Sequence, residues 1–376
     1  MNNTIYLDNS STTAVCKRSI EYITNVLSEN YGNPSSLHVM GLNAETELIK
    51  TRSAVAKMLS ARDDEIFFTG SGTEANNTAI FGAALSRAKR GKRIVTTAIE
   101  HPSVLEAVAI LEEQGFEVIR LMPDESGKIR EEDIFSAVNK DTILVSIMLV
   151  NNETGAIEPV SAARSAITRA GAPALLHCDA VQGFGKMKIS PQALGVDLLS
   201  ASAHKIHGPK GIGILYKKKG VHIKPLIVGG GQESGLRSGT ESVPLIAGLR
   251  GAIEELPRTN EKIKELRDYA AELFTSCDFI KINSPDDALP YIINVSMVGY
   301  RSETLLHFLE AEGIFVSSGS ACAKGKGSYV LRAMGLPAER VDSALRISFS
   351  RFNEKADIDK LFCSLSKAKD TLRSSR

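Results

Sequence analysis

The chain has 376 residues, 43% of them apolar, with 45 Lys and Arg against 44 Asp and Glu, a formal charge of +1. That balance argues against a strongly basic nucleic-acid surface, and no apolar run reaches the roughly eighteen residues that a membrane span needs. Five scattered cysteines, at 16, 178, 277, 322 and 363, suit reduced thiols in a cytoplasmic protein better than a disulfide framework.

The N-terminal stretch Met1-Asn-Asn-Thr-Ile-Tyr6 has no basic-then-apolar leader pattern and reads as the start of a strand. Glu65-Ile-Phe-Phe68 is strand-like and feeds Thr69-Gly-Ser-Gly-Thr-Glu-Ala-Asn76, then an Ala-rich helical stretch. Glycines ahead of a helix N-terminus leave amide groups free to hold a phosphate. Apolar strands are predicted at 94–98, 116–121 and 143–150. Between the first two, Ser103-Val-Leu-Glu106 is a capping-box signature for a helix with apolar residues at 104, 105, 108 and 111, which Gly115 ends. A short strand at 174–179 finishes on Asp179, ahead of Gln182 and Gly183. His177 and Cys178 within it read as core residues, because the geometry of an adjacent pair inside a strand favours core packing over a shared metal. Another strand at 198–203 places His204 and Lys205 at its carboxyl end, where α/β sheets hold ligands. A strand at 212–216 follows, with Lys217-Lys-Lys219 as a solvated turn.

Near-continuous apolar strands alternating with helices predict an α/β fold with a mostly parallel sheet buried on both faces. After Gly251 the chain becomes more charged, and 254–266 reads as a linking surface helix. A smaller α+β unit is expected beyond it, with strands near 292–296, 314–316 and 344–349 and a closing helix from Asp357. This divides the chain into a large unit, 15–255, and a small one made of 1–14 with 256–376.

A lysine, an acid and a phosphate cradle at the ends of three strands are what pyridoxal phosphate requires: Lys205 for the Schiff base, Asp179 for the pyridine nitrogen, the 69–76 loop for the phosphate. A dinucleotide-binding G-x-G-x-x-G with an acid about twenty residues on is missing, and no Gly-Lys-Ser/Thr follows Gly70 to make a P-loop. Arg346 alternates with apolar residues in Leu345-Arg-Ile-Ser-Phe349, which predicts a side chain turned from the core and free to grip a carboxylate. Cys322 sits in Ser317-Ser-Gly-Ser-Ala-Cys-Ala-Lys-Gly-Lys-Gly327, between a helix end with a short strand at 312–316 and a helix start at Ser328. A thiol among small residues and two lysines is expected to be exposed and inclined to ionise.

Motifs throughout the chain resemble those of the cysteine desulfurases, the NifS/IscS-like group of the class V aminotransferase superfamily, of PLP fold type I. They are Tyr6-Leu-Asp-Asn-Ser-Ser-Thr-Thr13, Gly32-Asn-Pro-Ser-Ser36, Gly70-Ser-Gly-Thr-Glu-Ala-Asn-Asn77, Glu100-His-Pro-Ser103, Val150-Asn-Asn-Glu-Thr-Gly155, Asp179-Ala-Val-Gln182, Ser202-Ala-His-Lys205, Gly229-Gly-Gly-Gln232, Arg237-Ser-Gly-Thr-Glu241 and Ser317-Ser-Gly-Ser-Ala-Cys322. The resemblance implies that Lys205 anchors the cofactor and moves the substrate Cα proton, that Gln182 contacts the ring hydroxyl, and that His101 stacks on the ring. It implies a phosphate held by Thr73, the Gly72 amide, Ser202 and His204, with Thr240 reaching in from the second subunit of a homodimer. Asn33, Asn152 and Arg346 resemble the substrate-contacting residues. The implied activity converts L-cysteine to L-alanine, leaving a persulfide on Cys322 for a protein acceptor in iron–sulfur assembly or in thiolation of tRNA or a cofactor. A transaminase or lyase of the same fold, selenocysteine lyase included, would use Lys205 without Cys322. The group usually has a longer stretch after its cysteine than the five residues that here separate Cys322 from Ser328. No membrane and no direct nucleic-acid contact is implied.

Overall fold

The chain begins with a two-residue strand, β1 (Ile5–Tyr6), and then lays down a sheet from the short apolar runs that follow. The structure, a computed structural model, describes residues 4–319 and 327–372. The sheet contains β2 (Ile66–Thr69), β3 (Arg93–Thr97), β4 (Glu117–Leu121), β5 (Thr142–Ser146), β6 (Leu175–Asp179), β7 (Leu198–Ser202) and β8 (Gly213–Lys217). Its order is β2-β8-β7-β6-β5-β3-β4, and only β8 runs antiparallel to its neighbours. The expected mostly parallel α/β sheet is therefore present.

Why these runs make strands is visible in where successive side chains go. Phe67, Ile94, Leu175, Leu198 and Leu215 pack into one apolar cluster with the helices Gly72–Arg87 and Pro102–Glu113. Their neighbours Phe68, Val95, Leu176, Leu199 and Ile214 pack into a second cluster across the sheet. Strand geometry sends adjacent residues to opposite faces, so a run must be apolar throughout when both faces are covered.

A smaller antiparallel sheet, β12-β10-β9, is built from β9 (Ile280–Ile282), β10 (Ile292–Met297) and β12 (Ala344–Ser348). Strand β11 (Ile314–Phe315) pairs in parallel with β1, and the Ser348 amide donates to the Leu7 carbonyl at 2.7 Å. The N-terminal segment thus pairs with the C-terminal part of the chain. The closing helix is Lys355–Thr371.

Four local expectations fail for identifiable reasons. The capping box at Ser103 does not form: the helix starts at Pro102 with His101 as its cap, because proline's fixed φ suits the first helical position. No single helix spans 254–266. Val243–Glu254 and Glu261–Thr275 are separate helices, and Pro257 between them lacks a donor and disfavours helix in the residue before it. The strand expected at 143–150 stops at Ser146, although the Leu149 amide still reaches the Asp179 carbonyl at 2.8 Å. Lys217 closes β8 instead of standing in a solvated turn, its amine donating to the Val221 carbonyl at 3.2 Å.

Candidate active site

The carboxyl ends of β6 and β7 and the loop after β2 converge on a cavity of about 540 Å³. Ser71 caps the helix Gly72–Arg87, its hydroxyl accepting from the Glu74 amide at 3.1 Å. Strand β8 lies so close to this turn that a Cβ on Gly213 would sit 2.3 Å from the Ser71 carbonyl carbon. Glycine at 213 is what lets the antiparallel strand press the loop into place. Gly72 is crowded likewise, since a Cβ there would lie 3.0 Å from Val181 Cγ2. Gly72, Thr73, Ser202 and His204 all line the cavity beside this helix start. His204 is fixed by Thr12, whose hydroxyl lies 3.2 Å from Nδ1, and burial drives its pKa down to about 3, so it stays neutral.

Asp179 ends β6, and both its oxygens are held. Oδ1 accepts from the Val181 amide at 2.9 Å, and Oδ2 accepts from Asn76 Nδ2 at 2.7 Å. The same Asn76 nitrogen donates to Ser103 Oγ at 2.9 Å, and Ser103 supports His101 Nδ1 through its amide at 3.1 Å and its hydroxyl at 2.8 Å. An amide N–H can only donate, so Nδ1 is the acceptor and the ring proton resides on Nε2. Burial lowers the His101 pKa, with the Lys205 charge acting the same way and Asp179 opposing.

Lys205 closes the 3₁₀ turn Ala203–Lys205 that follows β7. Its amine donates to the carbonyls of Ser10 and Ser11 at 2.5 and 2.7 Å. Burial first, then the Arg346 charge, bring its pKa down to about 8. Gln182 donates from Nε2 to the same Ser10 carbonyl at 3.0 Å.

Arg346 corrects an expectation. It lines the cavity, but it is only 4% exposed and every residue of β12 is buried, so alternation gives it no open face. Nη2 donates to Asp8 Oδ1 at 2.9 Å and to Ser11 Oγ at 2.6 Å, and Nη1 donates to the Asn152 carbonyl at 3.0 Å. Its Nε and the side-chain oxygen of Asn152 are buried without partners. A buried polar atom left unpaired is costly, and two of them on the wall of one cavity mark it as built for a polar ligand.

Twelve of the thirteen residues singled out from sequence can thus be placed on the cavity wall or off it. Lys205, Asp179, Gln182, His101, Gly72, Thr73, Ser202, His204, Asn152 and Arg346 share the cavity wall. Asn33 does not line it and instead accepts from the Ser35 amide at 2.9 Å. Thr240 is exposed and away from this wall. Cys322, with the expectation that its loop is exposed, lies outside the described residues. His177 and Cys178 are buried, and the histidine bonds Ser146 and Ser200 at 2.8 and 3.0 Å, as expected of core residues.

Sequence reasoning gave no role to Asp8, Asn76, Glu153 or Lys186. The first three lie inside quoted motifs, so the signal was present without a geometry to read it by. Glu153 is 1% exposed, lines the cavity and accepts from Ser328 Oγ at the start of the helix Tyr329–Ala333. Burial raises its pKa.

The residues present fit pyridoxal phosphate: an amine of lowered pKa, a fixed carboxylate, and a helix N-terminus flanked by Thr73, Ser202 and His204. Comparison with known proteins agrees. A family model, Aminotransferase class-V, matches residues 5–361. The chain is 42% identical over 369 residues to "Cysteine desulfurase IscS" of Clostridium botulinum, covering 96% of this chain and 92% of that one. A solved "NIFS-LIKE PROTEIN" superposes with a TM-score of 0.92 at 39% identity, over 98% of this chain and all of the other. The structure "SspA in complex with cysteine" gives 0.84 at 34% identity, over 93% of this chain and all of that one.

Proposed function

This chain belongs to the aminotransferase class-V family as one of its cysteine desulfurases, which are pyridoxal-phosphate enzymes, and we propose that it converts L-cysteine to L-alanine and passes the sulfur, as a Cys322 persulfide, to an external acceptor. The observation that carries this reading is the single cavity wall on which Lys205, Asp179, His101 and Arg346 meet. Bound there, the cofactor supplies an electron sink that polarises the substrate's Cβ–S bond.

The protein's own groups do the rest. Lys205 Nζ, with its pKa near 8, carries and releases a proton close to neutral pH. Asp179, locked by Asn76 and Val181, presents a fixed negative charge to a ring nitrogen. His101, its Nδ1 accepting from the Ser103 amide, carries its ring proton on Nε2. Arg346 Nε and the Asn152 oxygen are available to the substrate's carboxylate and amino group. The Cys322 thiolate attacks the substrate sulfur: an S–S bond forms, the Cβ–S bond breaks, and its electron pair stays on carbon, where protonation completes alanine. Enzyme thiol and cysteine give enzyme persulfide and alanine, with no external oxidant.

The chain division at 15–255 and 1–14 with 256–376 belongs to this reading. It is supported by a large sheet drawn wholly from 66–217 and a smaller one from 280–348. A homodimer is supported by exposed Tyr31, Leu37, Val39 and Leu42 and by Leu226–Val228, apolar surface a monomer gains nothing by showing to water. It would also give Thr240 a cavity, in the partner, and leave Asn33 a substrate contact only after rearrangement. The acceptor is read as a protein bearing a thiol of its own, serving iron–sulfur assembly or thiolation of tRNA or a cofactor in the cytoplasm. No helix among the described residues is long and apolar enough to cross a membrane.

Cys322→Ser tests the reading. The variant should bind cofactor and cysteine and yet release almost no alanine. Normal turnover would favour transaminase or lyase chemistry.

A further inference from the structure

Lys186 is 5% exposed, and its amine donates to Gln182 Oε1 at 2.9 Å. Among the described residues no carboxylate pairs with it; its amine instead lies 5.5 Å from the centre of the Tyr291 ring. A lysine is almost never buried without an opposite charge. The charges nearest to it make matters worse, because Lys205 and Arg346 are both cations. Burial and these two neighbours lower its pKa to about 7. His204 and His207 also feel its charge, and both are held neutral by burial. The acids that face this group of cations are already engaged: Asp8 by Arg346, Asp179 by Asn76 and the Val181 amide.

The backbone holds the lysine in place deliberately. Asn260 donates to its carbonyl and accepts from the Tyr291 hydroxyl at 2.8 Å, so ring, amide and lysine form one buried set. Lys186 stands four residues after Gln182 in the turn that leaves β6, and it fixes the orientation of that amide. With Oε1 taken by the ammonium, Nε2 must point toward Ser10 and the cavity, where it is a donor. Ser10 in turn accepts from Lys205. A line of hydrogen bonds therefore runs from Lys186 through Gln182 and Ser10 to Lys205.

We propose that Lys186 is a positioning residue which, held protonated in the loaded enzyme by the anionic ring oxygen of bound pyridoxal phosphate, delivers its positive charge to that oxygen through Gln182 and keeps Lys205 readily deprotonated. This rests on the cofactor assignment made above and goes beyond it, since it gives a cost of folding, a buried unpaired cation, a purpose in the loaded enzyme. Lys186 touches neither substrate nor reacting atoms; it acts through Gln182.

The test uses cofactor-loaded enzyme and reads the pH at which its visible absorbance changes, independently of turnover. The hydrogen-bonded path limits the separation of the two amines to roughly 10 Å, and unit charges at that distance in an effective dielectric of about 20 shift a pKa by about one unit. Lys186→Met and Lys186→Gln should therefore raise the transition by about one pH unit, while Lys186→Arg should leave it within a few tenths. Should Lys186→Met fail to fold, Lys186→Gln keeps a hydrogen-bonding side chain and decides alone. A neutral variant that folds but takes up no cofactor supports the inference if Lys186→Arg takes it up, and contradicts it if Lys186→Arg does not. An unmoved transition in both neutral variants, or a shift in Lys186→Arg equal to theirs, overturns the inference and leaves the cofactor assignment standing. Absence of any visible chromophore in the parent protein would instead sink that assignment.

Discussion

Asp8→Ala removes the partner that holds Arg346, and its consequences can be worked from the geometry. Asp8 Oδ1 accepts from Arg346 Nη2 at 2.9 Å and from Ser11 Oγ at 2.8 Å, with the arginine side chain 4% and the aspartate 20% exposed. Breaking a buried pair by removing one member costs about 3–5 kcal/mol, because a charge is left without compensation. Water reaches the aspartate side, which reduces the expected loss to about 2–4 kcal/mol. With an unfolding entropy of about 2.1 cal/mol/K per residue, that is a fall in Tm of about 2–5 °C for a chain of this size. The guanidinium would also lose its aim, so KM for cysteine should rise at least several-fold. Asp8→Asn keeps an oxygen at the same place and should lose about half as much stability. Differential scanning fluorimetry and steady-state alanine release measure both effects. A variant that melts within about 1 °C of the parent, roughly half the smallest shift expected, and keeps its KM would refute the role given to this pair.

Lys205→Ala should abolish the visible chromophore and the borohydride-reducible adduct; persistence of the adduct would place the anchor on another lysine. Asp179→Asn should keep its bonds to Asn76 or Val181 in part but lose the charge, lowering kcat/KM about ten- to a hundredfold, the equivalent of a charge-assisted hydrogen bond of about 1.5–3 kcal/mol; unchanged kinetics would remove it from the site. Glu158 gives a pH prediction. It is 3% exposed, accepts from the Ile129 amide at 2.9 Å, and burial raises its pKa to about 7. Between its unfolded value near 4.5 and 7 the native state holds a proton that the unfolded state does not, so its contribution to stability falls as pH rises through that window. Glu158→Gln should therefore gain on the parent by up to about 3 kcal/mol from pH 4.5 to 7 and no further above it, as chemical denaturation at several pH values would show; parallel curves would contradict the shift.

Much of this was legible in the sequence because the chemistry sits where strands end. Apolar runs at 174–179 and 198–203 fixed where Asp179 and Lys205 would emerge, and a parallel sheet brings such ends together whatever the loops do. Arg346 lines the cavity, but the open face predicted for it is missing for a physical reason. Period-two alternation predicts an open face only when one side of a strand meets solvent, and the N-terminal segment covers β12 through the contact of Asp8 with Ser348. That contact joins residues some 340 apart, beyond the reach of local pattern. The same long-range packing hid the role of Lys186, which looks in sequence like one more surface lysine after Gly185. Helix boundaries near Pro102 and Pro257 depart from the predicted ones because proline's fixed φ and missing donor override polar capping and charge pattern.

The central claim is that this cavity takes sulfur from cysteine, and the most direct measurement is product stoichiometry. Cofactor-loaded protein incubated with L-cysteine and an excess of a small-thiol reductant should release alanine and sulfide in a one-to-one ratio. Without reductant, alanine should appear in a burst of about one equivalent per chain, matched by one persulfide on Cys322. Pyruvate and ammonia in place of alanine, or alanine with no persulfide, would contradict the account.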